Sequence, residues 1–210
     1  MDIETIVVGP LEVNCYLVYE SDGTDAIVID PGDDVDLILN AADNLGVNVK
    51  QIINTHGHFD HIGGNRKLKE KTGASISIHK DDLELLRNAG DSAVRFGLTV
   101  DSSPEPDELL NDGQIIEEGK MKFKVIHTPG HSPGGISLLS QQVLFTGDTL
   151  FAGSIGRTDL PGGSYKQLIE SIKSKLFRLD GTCMVYPGHG AASTIENEKN
   201  NNPFLQVGLD

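Results

Sequence analysis

The chain alternates short runs of apolar, β-branched residues with breaks rich in Gly, Asp and Pro, the pattern of strands joined by tight turns. Residues 3–8, 13–19 and 25–30 are three such runs, separated by Gly9-Pro10 and by residues 20–24, and they predict an opening antiparallel meander. A helical period then takes over. Residues 33–45 carry apolar side chains at Val35, Leu37, Ile38, Leu39, Ala42 and Leu45 and stop at Gly46, as a glycine-closed helix does. Residues 49–54 predict a short buried strand, residues 65–71 a helix, residues 75–78 a strand and residues 80–88 a further helix.

Residues 89–112 hold no strong period and contain Gly90, Gly97, Pro104 and Pro106, so they predict a long loop of the functional or mobile kind, with Phe96 and Leu98 placed to close over a ligand. Residues 114–117 and 122–126 flank Glu118-Gly119-Lys120 as a hairpin, and 136–139 with 143–145 form a second. The period of Leu168, Ile169, Ile172, Leu176 and Leu179 predicts a helix over 165–179, followed by a strand at 183–186. Residues 1–90 and 113–190 each run from antiparallel strands to helix and strand. That alternation predicts an α/β domain of two sheets packed face to face with helices outside.

Composition narrows the setting. A chain of 210 residues, 38% hydrophobic, suffices for one domain with a sizeable core. No apolar run approaches the ~20 residues that span a bilayer. The start, Met1-Asp2-Ile3-Glu4, is not that of a secretory signal, so the cytoplasm is the expected compartment. Cys15 and Cys183 lie far apart in apolar runs and read as reduced core residues. Seventeen Lys and Arg against 31 Asp and Glu leave a net charge of −14, which repels polyanions and argues against nucleic acid. No basic amphipathic helix invites a membrane surface.

The chemistry concentrates in Thr55-His56-Gly57-His58-Phe59-Asp60-His61, where three imidazoles and a carboxylate fall within six positions just past a strand. Neutral imidazole and carboxylate suit Zn, Fe or Mn. His56 and His58, two apart, can aim at one point, and Asp60 and His61 point past it, so the loop predicts two neighbouring ions. The motif of apolar strand, Gly-containing turn and ligand recurs at His131, Asp148 and His189, which argues for one convergent site. Asp30, also at a strand end, is a candidate helix cap or a residue that holds a ligand through hydrogen bonds, and Thr55 is a candidate for the second task. His79 has no evident ligand partner along the chain and is read as structural.

Together, Thr55–His61, Thr128-Pro129-Gly130-His131-Ser132, Gly147-Asp148 and Pro187-Gly188-His189 resemble the metallo-β-lactamase superfamily. Residues 145–157 resemble its glyoxalase II (hydroxyacylglutathione hydrolase) group. The resemblance implies a four-layer αβ/βα sandwich. It also implies a first divalent ion, Zn or else Fe or Mn, on His56, His58 and His131; a second on Asp60, His61 and His189; and Asp148 bridging both. Asp60 would accept the attacking water's proton, and Arg157 would meet an anionic part of the substrate. The implied reaction is hydrolysis of a small-molecule thioester by a metal-bridging hydroxide. Only 21 residues follow His189, so the helical segment that adds basic glutathione contacts in longer members is expected to be missing, and Gly190-Ala191-Ala192 stands where they carry a Tyr. Gly156-Arg157-Thr158-Asp159 also resembles the superfamily's persulfide dioxygenases, whose single iron would sit on His56, His131 and Asp148. A non-catalytic metal scaffold is the third reading.

Overall fold

The computed structural model describes residues 1–206. The first half supplies β1 (Asp2–Val8), β2 (Val13–Tyr19), β3 (Asp25–Ile29), α1 (Val35–Leu45), β4 (Asn48–Ile53), α2 (Phe59–Ile62), α3 (Asn65–Thr72), β5 (Ser75–His79), α4 (Leu83–Arg87), α5 (Ala89–Arg95) and β6 (Glu108–Leu110). The second half supplies β7 (Ile115–Glu118), β8 (Met121–His127), β9 (Ile136–Ser140), β10 (Val143–Gly147), the small hairpin β11 (Leu150–Phe151) and β12 (Ser154–Ile155), α6 (Tyr165–Ser174), β13 (Met184–Pro187), β14 (Ser193–Thr194), α7 (Ile195–Asn201) and α8 (Pro203–Gln206).

Six strands in the order β1-β2-β3-β4-β5-β6 make one sheet, antiparallel as far as β3 and parallel from there. The other sheet runs β14-β13-β10-β9-β8-β7. Period-two alternation sends neighbouring side chains to opposite faces. In β2, Tyr16 and Val18 join the core between the sheets with Phe123, Val125, Leu138 and Phe145, whereas Cys15 and Leu17 pack outward beneath α1 and α3. The outer face of the second sheet is covered by α6 and α7 through Leu168, Ile172 and Ile195. Sheets buried on both faces explain why their strands read as continuous apolar runs, and the result is the four-layer αβ/βα sandwich. Both cysteines are free and buried, as expected.

Four expectations change. The stretch 89–112 is not all loop: α5 occupies its start and β6 pairs with β5. The helix expected over 80–88 begins as a 3-10 turn, Lys80–Asp82, before α4, and the one expected over 165–179 ends α-helical geometry at Ser174, with a 3-10 turn at Leu176–Arg178. The His loop also closes on itself as the single turn α2, which carries Asp60 and His61.

Candidate metal centre

The carboxyl ends of β3, β4, β8, β10 and β13 meet at one edge of the sandwich, and each delivers a predicted residue there. The parallel pairing of β3 with β4, and of β10 with β13, sets those ends side by side. Asp30 follows β3, His56 to His61 follow β4, His131 follows β8, Asp148 follows β10 and His189 follows β13.

Ligand-capable atoms of His56, His58 and His131 lie within 4.8 Å of one another, and so do those of Asp60, His61 and His189. Asp148 stands between the two groups. Its Oδ1 is 3.4 Å from His61 Nε2, and its Oδ2 is 3.5 Å from His131 Nε2 and 3.6 Å from His189 Nε2. Asp60 Oδ2 is 3.6 Å from His189 Nε2 and 3.8 Å from His61 Nε2. All seven predicted ligands therefore come together.

The opposite edges of the rings are held by the protein. His61 Nδ1 faces Asp30 Oδ2 at 3.0 Å, His131 Nδ1 faces the Arg157 carbonyl at 2.7 Å, and His189 Nδ1 faces the Leu11 carbonyl at 3.0 Å. Thr55 Oγ1 donates to Asp30 Oδ2 at 2.7 Å, so it accepts from His56 Nδ1 at 3.1 Å. Each of these contacts fixes a proton on Nδ1 and leaves Nε2 facing into the site, free to ligate a cation. His58 is turned the other way, its Nδ1 facing His131 Nε2 at 2.9 Å. Asp30 also accepts the Thr55 N–H at 2.7 Å, so both its oxygens are committed to Thr55 and His61. It does not cap α1, whose N-cap position is Asp34. The two carbonyl supports left no trace in residue type, because any residue offers a carbonyl.

These residues fit a pair of cations. His56 Nε2, His61 Nε2 and Asp148 Oδ1 are buried polar atoms without a hydrogen-bond partner among the described residues. Leaving each bare costs about 1–3 kcal/mol, and all three point into the site. Burial, reinforced by His61, His58 and His131, holds His56 well below its usual pKa, in the neutral form that ligates. Burial opposes charge on His61 too, but Asp148, Asp60 and Asp30 outweigh it and raise that pKa well above normal. For Asp148, burial is in turn outweighed by His61, His131 and His56, which keep the carboxylate ionised far below its usual range. A divalent ion would take over the balancing role of the His61 proton.

A cavity of about 750 Å³ opens onto His58, Asp60, His131, Asp148 and His189, within the range of small-molecule sites. Phe59, Phe96, Phe151 and Leu160 supply apolar wall, and Arg95 and Arg157 are its cations. Phe96 packs on Phe59 with ring centres 5.4 Å apart, so the end of α5 forms a wall beside the candidate ligands, and Leu98 packs against the buried cluster that contains Phe59, Ile62 and Ala93. Arg157 sits at the cavity, paired with Asp159. His79, read as partnerless, lies against His127 with ring centres 4.1 Å apart and planes 14° from parallel. Ligand-capable atoms of His79, Asp81 and His127 lie within 4.8 Å of one another, but stacked rings send their in-plane lone pairs along parallel directions, which suits a cation poorly.

Residues 8–189 match the sequence profile of the metallo-beta-lactamase superfamily. The chain is 39% identical over 209 residues to hydroxyacylglutathione hydrolase GloC of Haemophilus influenzae, covering 98% of each. Among solved structures, it resembles the BLEG-1 B3 metallo-beta-lactamase with a TM-score of 0.93 and 35% identity, over 98% of this chain and all of that one. It also resembles TTHA1623 in a di-iron-bound form, with a TM-score of 0.90 and 37% identity over 96% of this chain and all of that one. On profile, fold and ligand constellation alike, the chain belongs to the metallo-beta-lactamase superfamily.

Proposed function

We propose that the protein is a dinuclear metal-dependent hydrolase of thioesters, of the hydroxyacyl-glutathione type, with the seven ligands arranged as above. The observation that supports two ions most directly is Asp148, whose Oδ2 lies within 3.6 Å of both His131 of the first group and His189 of the second, while its Oδ1, 3.4 Å from His61 Nε2, is buried without a hydrogen-bond partner among the described residues. The ions, Zn or else Fe or Mn, supply Lewis acidity to the acyl carbonyl and lower the pKa of the attacking water towards neutrality.

The chain's own groups do the rest. Asp60 is kept ionised because His61 and His189 outweigh the effect of its burial, so it can accept a proton from the attacking water. Asp30 and Thr55 keep His61 and His56 in the ligating tautomer. The cavity wall of Phe59, Phe96 and Phe151 excludes water from an acyl chain, and Arg95 and Arg157 favour an anionic substrate. Among the cavity residues, the titratable groups not tied to the metal positions are Asp91, Arg95 and Arg157, none of them a ready proton donor to a leaving group. A thiolate, whose conjugate acid has a pKa of about 8.5, departs without such a donor far more readily than an alkoxide or amide nitrogen. That preference favours a thioester over the β-lactam amide suggested by the likeness to BLEG-1.

Protein purified without added metal should contain close to two divalent ions per chain by elemental analysis and should turn over lactoylglutathione. Oxygen consumption with glutathione persulfide and no thioester turnover would replace this reading with the dioxygenase one. Turnover of β-lactams but not thioesters would keep the hydrolase and change its substrate.

A further inference from the structure

Asp82 is a buried carboxylate that the hydrolytic reading leaves unused. It ends the 3-10 turn Lys80–Asp82 after β5 and is completely shielded from solvent. Among the described residues, its side-chain partners are Gly57, Ser132 and Gly134. Its three hydrogen-bond donors come from the two ligand loops, which are themselves far apart in sequence. Oδ2 accepts the Gly57 N–H at 2.9 Å and the Ser132 hydroxyl at 2.7 Å, and Oδ1 accepts the Gly134 N–H. Gly57 lies between His56 and His58, and Ser132 follows His131. One carboxylate thus grips both loops that bear the first group of histidines.

The packing around it is built to allow that grip. A Cβ on Gly57 would come 2.8 Å from the Asp82 carbonyl oxygen, and a Cβ on Gly134 would come 2.5 Å from the Asp82 nitrogen. Both are backbone contacts that cannot give way cheaply, so each loop carries glycine where it closes on Asp82. The histidines so held already stand in ligating array. His58 Nδ1 is 2.9 Å from His131 Nε2, and the ring of His56 is nearly perpendicular to both, with centres 4.8 Å away.

We propose that Asp82 is a positioning residue that sets the span between the His56–His58 loop and the His131 loop, and so the geometry and affinity of the first metal position. It touches neither substrate nor ion. Its action differs from that of Asp30, which supports His61 at the second position, and from that of the carbonyls behind His131 and His189, which orient single rings. The inference requires a cation at His56, His58 and His131 and holds for a hydrolase and a dioxygenase alike.

Asp82→Asn keeps the volume but replaces one acceptor oxygen with a donor facing an N–H or hydroxyl. Cobalt(II) titration of the apoprotein against a competing chelator, followed by its d–d absorption, reads the affinity of each position without any assay of turnover. The expected result is a first-position affinity lower by about 10–100-fold, the range for lost support behind metal ligands, with an altered d–d band and an unchanged second position. Ser132→Ala, which removes one of the three donors, should show a smaller loss confined to the same position, and it carries the test if Asp82→Asn does not fold. A merely structural role would lower the melting temperature of the apoprotein and leave cobalt affinity and spectrum as in the parent. That outcome, or an equal loss at both positions, overturns the proposal.

Discussion

Arg157 grips Asp159 with a forked pair of hydrogen bonds, Nε to Oδ1 and a terminal guanidinium nitrogen to Oδ2, both 2.7 Å, at the edge of the cavity. The pair is exposed, so it contributes little to stability. A substrate anion must compete with Asp159 for the same guanidinium face. Arg157→Ala is expected to raise KM for an anionic thioester with kcat little changed, the mark of uniform binding, and Asp159→Ala to lower KM. Steady-state kinetics on the two variants and on Arg95→Ala decide the matter. An effect confined to Arg95→Ala would move the anion contact to α5, where Arg95 has no partner among the described residues.

His61 belongs to the second group of ligands and leans on Asp30, so His61→Ala should empty that position while sparing the first. Elemental analysis should fall from near two ions per chain to near one. A parent already holding one ion at full activity would end the dinuclear reading.

Asp60→Asn preserves shape and removes the charge that both a second ion and a proton acceptor require. Thioester turnover should drop by at least about 10²-fold. In a mononuclear dioxygenase using His56, His131 and Asp148, the same change would touch no ligand, so oxygen consumption with glutathione persulfide that stays intact in the variant would argue for that chemistry.

Burial first, and then the stacked His127, push the His79 pKa from the usual 6.5 down to about 4. The unfolded chain therefore takes up a proton at His79 before the folded protein does. Stability drawn from this residue is full above pH 6.5, falls as the pH drops from 6.5 to about 4, and loses nothing further below. His79→Gln should flatten the fall in urea midpoint across that window relative to the parent. Parallel curves for the two proteins would show that His79 does not titrate in this way.

The seven candidate ligands were legible in the chain because metal coordination needs particular residue types, and here each follows an apolar strand by a few positions. The supports behind them were legible only where a side chain supplies the oxygen, as at Asp30 and Thr55. The carbonyls of Leu11 and Arg157 and the grip of Asp82 depend on which loops the fold brings together, and no local pattern encodes that. The helix α5 was hidden for a different reason. Its seven residues, Ala89 to Arg95, include Gly90 and two weak helix formers, Asp91 and Ser92, and only packing of Ala89 and Ala93 beside Phe59 selects the helix. The polar run of α7 gains its place from Glu198, which is fully buried and receives the Gly153 N–H at 2.8 Å and the Asn202 amide at 2.8 Å.

Each group of ligands draws on both sheets: His56 and His58 with His131, and Asp60 and His61 with His189. An ion in either position would therefore be a reversible cross-link across the open edge of the sandwich, closing a loop of chain much as a disulfide would in an oxidising compartment. Free ion at about a hundredfold its Kd would add about 2.7 kcal/mol to the folded state by mass action. The melting temperature should then climb with metal concentration, and chelation should first expose this edge to a protease, at the loops after β4 and β8. Digestion at the opposite edge, or a melting temperature indifferent to chelator, would show that the two sheets hold together without the ions.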